Sequence, residues 1–319
     1  MDITDEKDKR KWQWKSVACI TRSIDCSEAT METCQDLIAN QDDDVLRAVA
    51  GLEGGVVSAG STCGVVQGGA LAIGLMHEDK IQSGDAKSEL GIIQMASDYV
   101  DWFAQNYKTT LCRERIETDL WFLTVFLRYN FPGDIATRCI MHMFGAMGYL
   151  YEIRNATIPN IAVNGDQHLS HCACEVLNGV KKRTGVGNST LESISIVLDG
   201  GVGLRGGACG ALSGAVMAVN LAYGIDYRDK SHLSSIIKFH TGHRNLRKNK
   251  EICEQYSIGK KVVTAFRDST GSFECRDIAD TKFEDWEAFQ TYMSDERCRK
   301  IINTCIDTAS VIIEQYKQI

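Results

Sequence analysis

The feature that most restricts how this chain can fold is that it repeats itself. Placing Leu52-Glu53-Gly54-Gly55-Val56 over Leu198-Asp199-Gly200-Gly201-Val202 sets an offset of 146 residues. With no gap, Gly60 falls on Gly206, Cys63-Gly64 on Cys209-Gly210, Gly68 on Gly214, Ala72 on Ala218 and Leu75 on Leu221. Ten of the 26 positions from Gly51 to Met76 are identical, and Cys26 falls on Cys172 at the same offset. Further on the spacing changes while the order holds. Phe103 stands nine residues before Cys112-Arg113 as Phe266 does before Cys275-Arg276, and Arg138-Cys139 answers Arg297-Cys298. A duplicated unit builds the same structure twice. The chain is therefore read as two similar domains. Residues 1–158 form the first, with an N-terminal arm; residues 159–319 form the second, with an insertion near 227–263, where 66 residues separate cysteines that 49 separate in the first copy.

The repeat also sorts the cysteines. Thirteen is too sparse for a disulfide scaffold in a chain of 319 residues, and an odd count cannot pair completely. Cys26, Cys63, Cys112 and Cys139 have partners in Cys172, Cys209, Cys275 and Cys298; Cys19, Cys34, Cys174, Cys253 and Cys305 have none. The eight paired thiols are the candidate functional set. The N-terminus is charged and lacks an apolar secretion segment, so a reducing cytoplasm is expected, with cysteines as thiols, metal ligands or redox pairs. A net charge of −7 argues against wholesale nucleic-acid binding, which needs a basic face. Residues 48–76 carry only Glu53 as a charge, but eight glycines interrupt them, so a tightly packed buried helix is expected rather than a membrane span.

The fold class is all-α. Cys26–Ala39 is rich in helix formers; Asp42–Asp44 offers caps for a helix through Leu52, and Ser189-Thr190-Leu191-Glu192 has the form of a capping box at the equivalent place. A Gly-Gly turn leads in each copy to a small-residue helix, Cys63–Leu75 or Cys209–Leu221. There Gly64/Gly68 and Gly210/Gly214 lie on one face and admit either a neighbouring helix or a cofactor. Later helices are expected at Ser97–Tyr107, Arg115–Tyr129, Asp134–Arg154 and Asp295–Tyr316, the last capped by Ser294. Ile161–Val163 and Lys261–Phe266 are the only strand candidates.

Each copy thus has a cysteine, a Gly-Gly turn, Cys-Gly-x-x-x-Gly and two further single cysteines. This pattern resembles the C_GCAxxG_C_C family of redox-active proteins, defined by four cysteines and a CGAxxG motif. Cys209-Gly210-Ala211-Leu212-Ser213-Gly214 fits that motif in full, and Cys63-Gly64-Val65-Val66-Gln67-Gly68 departs only at Val65. The chain resembles a tandem fusion of that unit over nearly its whole length. A related domain accompanies haem and non-haem iron in split-Soret cytochromes; without Cys-x-x-Cys-His, no c-type haem is expected here.

Four cysteines per copy match the ligand demand of one iron–sulfur cluster, [4Fe–4S] or [2Fe–2S], up to two per chain. Cys63 and Cys209 follow a glycine turn at a helix N-terminus, where N–H groups and dipole favour a thiolate. Arg113, Arg138, Arg276 and Arg297 flank paired cysteines in both copies and can balance an anionic cluster, with Gly64, Gly68, Gly210 and Gly214 beside it. The expected function is a soluble, anaerobic-type redox protein passing electrons to a redox partner protein or oxidoreductase. Ligands could come from one domain, from both, or from two copies in a homodimer. Thiol–disulfide exchange by paired cysteines and a structural zinc site are the alternatives. His171 and Cys174 lack counterparts and read as incidental. His240-x-x-His243, in a basic segment with His232, reads as surface unless it binds a metal or docks an acidic partner.

Overall fold

A computed structural model describes residues 3–116, 134–161, 169–224, 228, 234, 255–283 and 285–317. Among these residues there are fifteen α-helices and no strand. In the first copy α1 (Ile3–Ser23) precedes α2 (Cys26–Ile38) and α3 (Asp43–Val49). Then come α4 (Gly64–Met76), α5 (Glu78–Gln82), α6 (Ala86–Tyr107), α7 (Cys112–Ile116) and α8 (Asp134–Ile153). The second copy runs α9 (Cys172–Thr184), α10 (Ser189–Ile194), α11 (Gly210–Tyr223), α12 (Gln255–Thr270), α13 (Cys275–Ala279), α14 (Trp286–Ser294) and α15 (Glu296–Tyr316). Thus α2 answers α9, α4 answers α11, α7 answers α13 and α8 answers α15. Short 3-10 turns extend α3 and α10, at Ala50–Leu52 and Ser195–Leu198.

Several local expectations change. Lys261–Phe266 is helical within α12 because Ile258, Val262, Val263 and Phe266 recur with helical spacing and are all buried. Asn188, not Ser189, caps α10: its Oδ1 accepts the Leu191 N–H at 2.8 Å, as Asp42 accepts two N–H groups of α3. Asp295, not Ser294, caps α15, accepting the Arg297 N–H at 2.8 Å, while the Ser294 hydroxyl bonds back to the Gln290 carbonyl in α14. Helix α6 starts eleven residues earlier than Ser97, behind the Asp85 cap. Of Arg115–Tyr129 only Arg115 and Ile116 are described, within α7; Ala162, Val163 and most of the 227–263 insertion, with His232, His240 and His243, also lie outside the described residues.

The two copies are not independent globules. Helix α4 packs on α10 and its 3-10 turn, and α11 packs reciprocally on α3 and Ala50–Leu52. Three hydrogen bonds join residues to their own equivalents 146 positions away. Asn188 Nδ2 donates to Asp42 Oδ2 at 3.1 Å, the Ala208 N–H to Thr62 Oγ1 at 2.7 Å and Ser213 Oγ to Gln67 Oε1 at 3.0 Å. Only residues beside a two-fold axis can meet their own images, so these bonds mark a pseudo-two-fold axis through one continuous core. Helices α4 and α11 are buried on every face through nearly their whole length. Among the described residues no helix is long and apolar enough to cross a membrane.

Candidate functional site

The segment before each Cys-Gly pair is a left-handed turn. Gly54, Gly55, Val56, Val57 and Ser58 all have φ between 50° and 82°, and Gly200, Gly201, Val202, Gly203 and Leu204 repeat the run at 57° to 82°. L-residues pay about 1–2 kcal/mol each for this conformation, so its recurrence in both copies means the surrounding core imposes it. The turn feeds a pair of backbone bonds. The Cys63 N–H donates to the Thr110 carbonyl and the Cys112 N–H to the Ser61 carbonyl, both at 2.8 Å. In the second copy Cys209 N–H bonds to Phe273 O at 2.8 Å and Cys275 N–H to Gly207 O at 2.7 Å. Two cysteines distant in sequence are thereby clamped side by side in each copy.

Helix ends converge on these sulfurs. Cys26 and Cys172 open α2 and α9, Cys63 and Cys209 are the N-caps of α4 and α11, Cys112 and Cys275 open α7 and α13, and Cys298 lies in the first turn of α15. Cys139 instead lies inside α8. A Cβ on Gly64 would stand 2.6 Å from the Cys26 sulfur, and one on Gly210 would stand 2.5 Å from the Cys172 sulfur. Both glycines are therefore required by close approach of sulfur rather than by chain flexibility. Gly68 and Gly214 serve helix packing, each facing a backbone carbonyl of α2 or α9.

Within each copy the sulfurs bias one another's protonation. Burial, then Asp199, then the sulfurs of Cys209, Cys298 and Cys275 push the Cys172 thiol well up. Burial, then Cys63 and Cys139, do the same to Cys112. The Cys26 sulfur lies against Gly64, the residue after Cys63. Cys26 is raised, chiefly by Cys63, and Cys63 is lowered to about 6, chiefly by Cys26 and further by Arg115 and the Val65 and Val66 N–H groups, against the opposing effect of burial. Cys209 has equivalent N–H donors in Leu212 and Ala211, yet burial wins and its thiol is raised. Two things differ: Cys172 gives its thiol proton to Asp199 rather than to Cys209, and only the first copy has an arginine at this place. Arg115 stands three positions after Cys112, and Ile278 three after Cys275. Arg115 is buried against Phe103 with its Nη1 unpaired.

Carboxylates missed in the sequence complete each centre. Glu53 and Asp199, the acids before each Gly-Gly, are buried 146 residues apart. Glu53 is pushed up to about 8 by burial and by Asp25, and its Oε1 accepts the Ser58 hydroxyl at 2.7 Å. Asp199 Oδ1 accepts the Cys172 N–H at 2.9 Å and its Sγ–H at 3.2 Å, while Oδ2 bonds His171 Nδ1 at 2.6 Å. His171, read as incidental, is thus built into the second centre, and Glu89 from the first copy reaches its Nε2 at 3.4 Å. The repeat alignment holds the signal for Glu53 and Asp199; Arg115 and His171 break the symmetry, so it holds none for them.

The four flanking arginines spread out. Arg113 Nη1 donates to the buried Glu274 across the copies at 2.7 Å, Arg138 Nη1 to the Arg115 carbonyl at 3.3 Å, Arg276 lies 3.8 Å from Asp277, and Arg297 is exposed. Of the remaining cysteines, Cys19, Cys34 and Cys305 are buried, Cys174 accepts from Asn178 Nδ2 at 3.2 Å, and Cys253 lies outside the described residues. No disulfide joins the described cysteines. Among the described residues no three His, Cys, Asp or Glu side chains are arranged to hold a metal ion, although each quartet offers the four thiols a cluster needs.

No curated protein and no solved structure matches the chain. One family model matches it twice, over residues 24–153 and 170–312, under the description "Putative redox-active protein (C_GCAxxG_C_C)". Each match spans one of the two cysteine quartets, and the two leave few residues uncovered: the chain belongs to the C_GCAxxG_C_C family, present as a tandem pair.

Proposed function

We propose that this is a thiol-based redox protein in which Cys26 and Cys63 of the first copy act as an exchanging dithiol. The observation that carries this reading is the placement of the Cys26 sulfur against Gly64, the residue after Cys63, at the N-termini of α2 and α4, with the two thiols shifted in opposite directions. Nearby N–H groups and the Arg115 charge favour the thiolate, which is the nucleophile in exchange. Cys63 sulfur attacks a substrate disulfide, forming a mixed disulfide and releasing one thiolate. Cys26 then attacks Cys63 sulfur, its proton passing to the released thiolate, and the second substrate thiolate leaves and takes a proton from water. The substrate gains two electrons and the protein keeps a Cys26–Cys63 disulfide.

A second reading, iron–sulfur binding by each quartet, is favoured by the arrival of seven of the eight thiols at helix N-termini, whose N–H groups favour thiolate ligands and anionic sulfides. Cys26, Cys63, Cys112 and Cys139 would hold one cluster, and Cys172, Cys209, Cys275 and Cys298 the other; a bound cluster would supply one-electron transfer. A single zinc ion is less well served, because among the described residues no three donors are set for one ion.

Protein purified without oxygen is treated with a low-molecular-weight disulfide, quenched with alkylating reagent and mapped by mass spectrometry. The dithiol reading expects two thiols to vanish together at Cys26 and Cys63, and Cys26→Ser to accumulate the mixed disulfide at Cys63. Unchanged alkylation, or pairing elsewhere, rejects it. Visible absorbance with iron and acid-labile sulfide, halved by Cys63→Ser and by Cys209→Ser, would establish the cluster reading instead.

A further inference from the structure

A cleft of about 460 Å³ opens on the seam between the copies. One wall is α6 and the segment 108–111 of the first copy, the other Leu204, Arg205, Arg276, Lys282 and Phe283 of the second. Its charges are unbalanced. Lys108, Arg205, Arg276 and Lys282 face two carboxylates, Asp101 and Glu114, in a chain whose net charge is −7. Both acids are engaged: Asp101 takes a bidentate pair from Arg205 at 2.8 and 2.6 Å, and Glu114 accepts the Thr109 hydroxyl at 2.6 Å. Arg276 is 3.8 Å from the flanking Asp277. Lys108 is held at φ 71°, ψ −32°, a conformation L-residues rarely adopt, at the end of α6. A neighbouring cleft of about 450 Å³ shares Lys282 and Phe283 but carries Asp285 and Asp295, and so has no such cation excess.

The same walls continue to the cysteines. The Thr110 carbonyl holds the Cys63 N–H, Leu111 precedes Cys112, and Arg276 follows Cys275. We infer that the seam cleft binds a small organic anion bearing at least two phosphate or carboxylate charges, with Lys108 and Lys282 as its principal contacts and Phe283 and Leu204 as apolar wall. Its size suits a ligand of nucleotide or small-peptide dimensions. The site draws on cations from both copies and does not depend on which redox chemistry the cysteines perform.

Titration calorimetry of the full chain at low ionic strength tests this with adenosine diphosphate as the phosphate probe and glutathione disulfide as the carboxylate probe, with inorganic phosphate in parallel. Binding of either organic probe, weakened at least tenfold in the Lys108→Gln/Lys282→Gln double variant with an unchanged thermal midpoint, is the expected result, and the probe that binds identifies the anion. No binding of either organic probe, binding of inorganic phosphate alone, or affinity unaltered in the double variant overturns the site. Since the readout is heat of binding, a failed dithiol reading leaves it standing.

Discussion

Cys63 and Cys209 have the same backbone, the same N-cap position and the same pair of N–H neighbours, yet their thiols shift in opposite directions. Burial penalises the thiolate in both; in the first copy the Cys26 thiol and then the buried Arg115 guanidinium oppose it, whereas in the second Cys172 turns to Asp199 and Ile278 stands in place of the arginine. Arg115→Gln is therefore expected to raise the Cys63 midpoint from about 6. Alkylation rate against pH reads this directly, and each unit of rise removes about tenfold of the thiolate present below the midpoint. His171 makes a second residue-scale prediction. Its imidazole is raised to about 9: burial lowers it, but the paired Asp199 and Glu89 outweigh burial. A raised histidine stabilises the fold fully below its unfolded value near 6.5 and loses that contribution as pH climbs through about 9. Urea unfolding midpoints should fall across that window in the native chain, and His171→Gln should flatten the fall.

At the scale of elements, the sulfur-facing glycines are the most exacting feature. Gly64→Ala sets a methyl 2.6 Å from the Cys26 sulfur and 3.2 Å from the Leu52 carbonyl, in a helix buried on all sides. Overpacking of this kind costs about 1–3 kcal/mol. The expected outcome is a lowered thermal midpoint together with slower dithiol closure, since Cys26 must move. Much of this level was legible in the sequence. The repeat located α4 and α11, the motif cysteines and the glycine turns, because Gly and Cys are the residues whose replacement the geometry tolerates least. The left-handed run at 54–58 was not legible, since Val56 and Val57 disfavour positive φ and only the packing around them makes them adopt it. Nor was α12 at Lys261–Phe266, whose β-branched residues mimic a strand locally while their burial follows a helical period.

For the whole molecule the duplication is also an interface. The apolar faces of α4 and α11 are completed by α10 and α3 of the opposite copy, and Arg113–Glu274, Arg205–Asp101 and His171–Glu89 cross the seam. Each copy expressed alone, residues 1–158 or 159–319, should expose that face and fail to unfold cooperatively, whereas the intact chain should give a single transition by calorimetry. Two separate transitions at the native midpoint would contradict the shared core.

The sequence by itself determined the all-α class, the tandem repeat, its family and the four pairs of cysteines that the repeat aligns. Each of these is encoded by periodicity or by identical residues at a constant offset, and both survive without knowledge of three-dimensional neighbours. Only the tertiary structure decided which charges meet those sulfurs. Arg115, Asp199, His171 and Glu89 come from separate helices and from both copies, and a buried charge acts through distance and exclusion of water, neither of which is written along the chain.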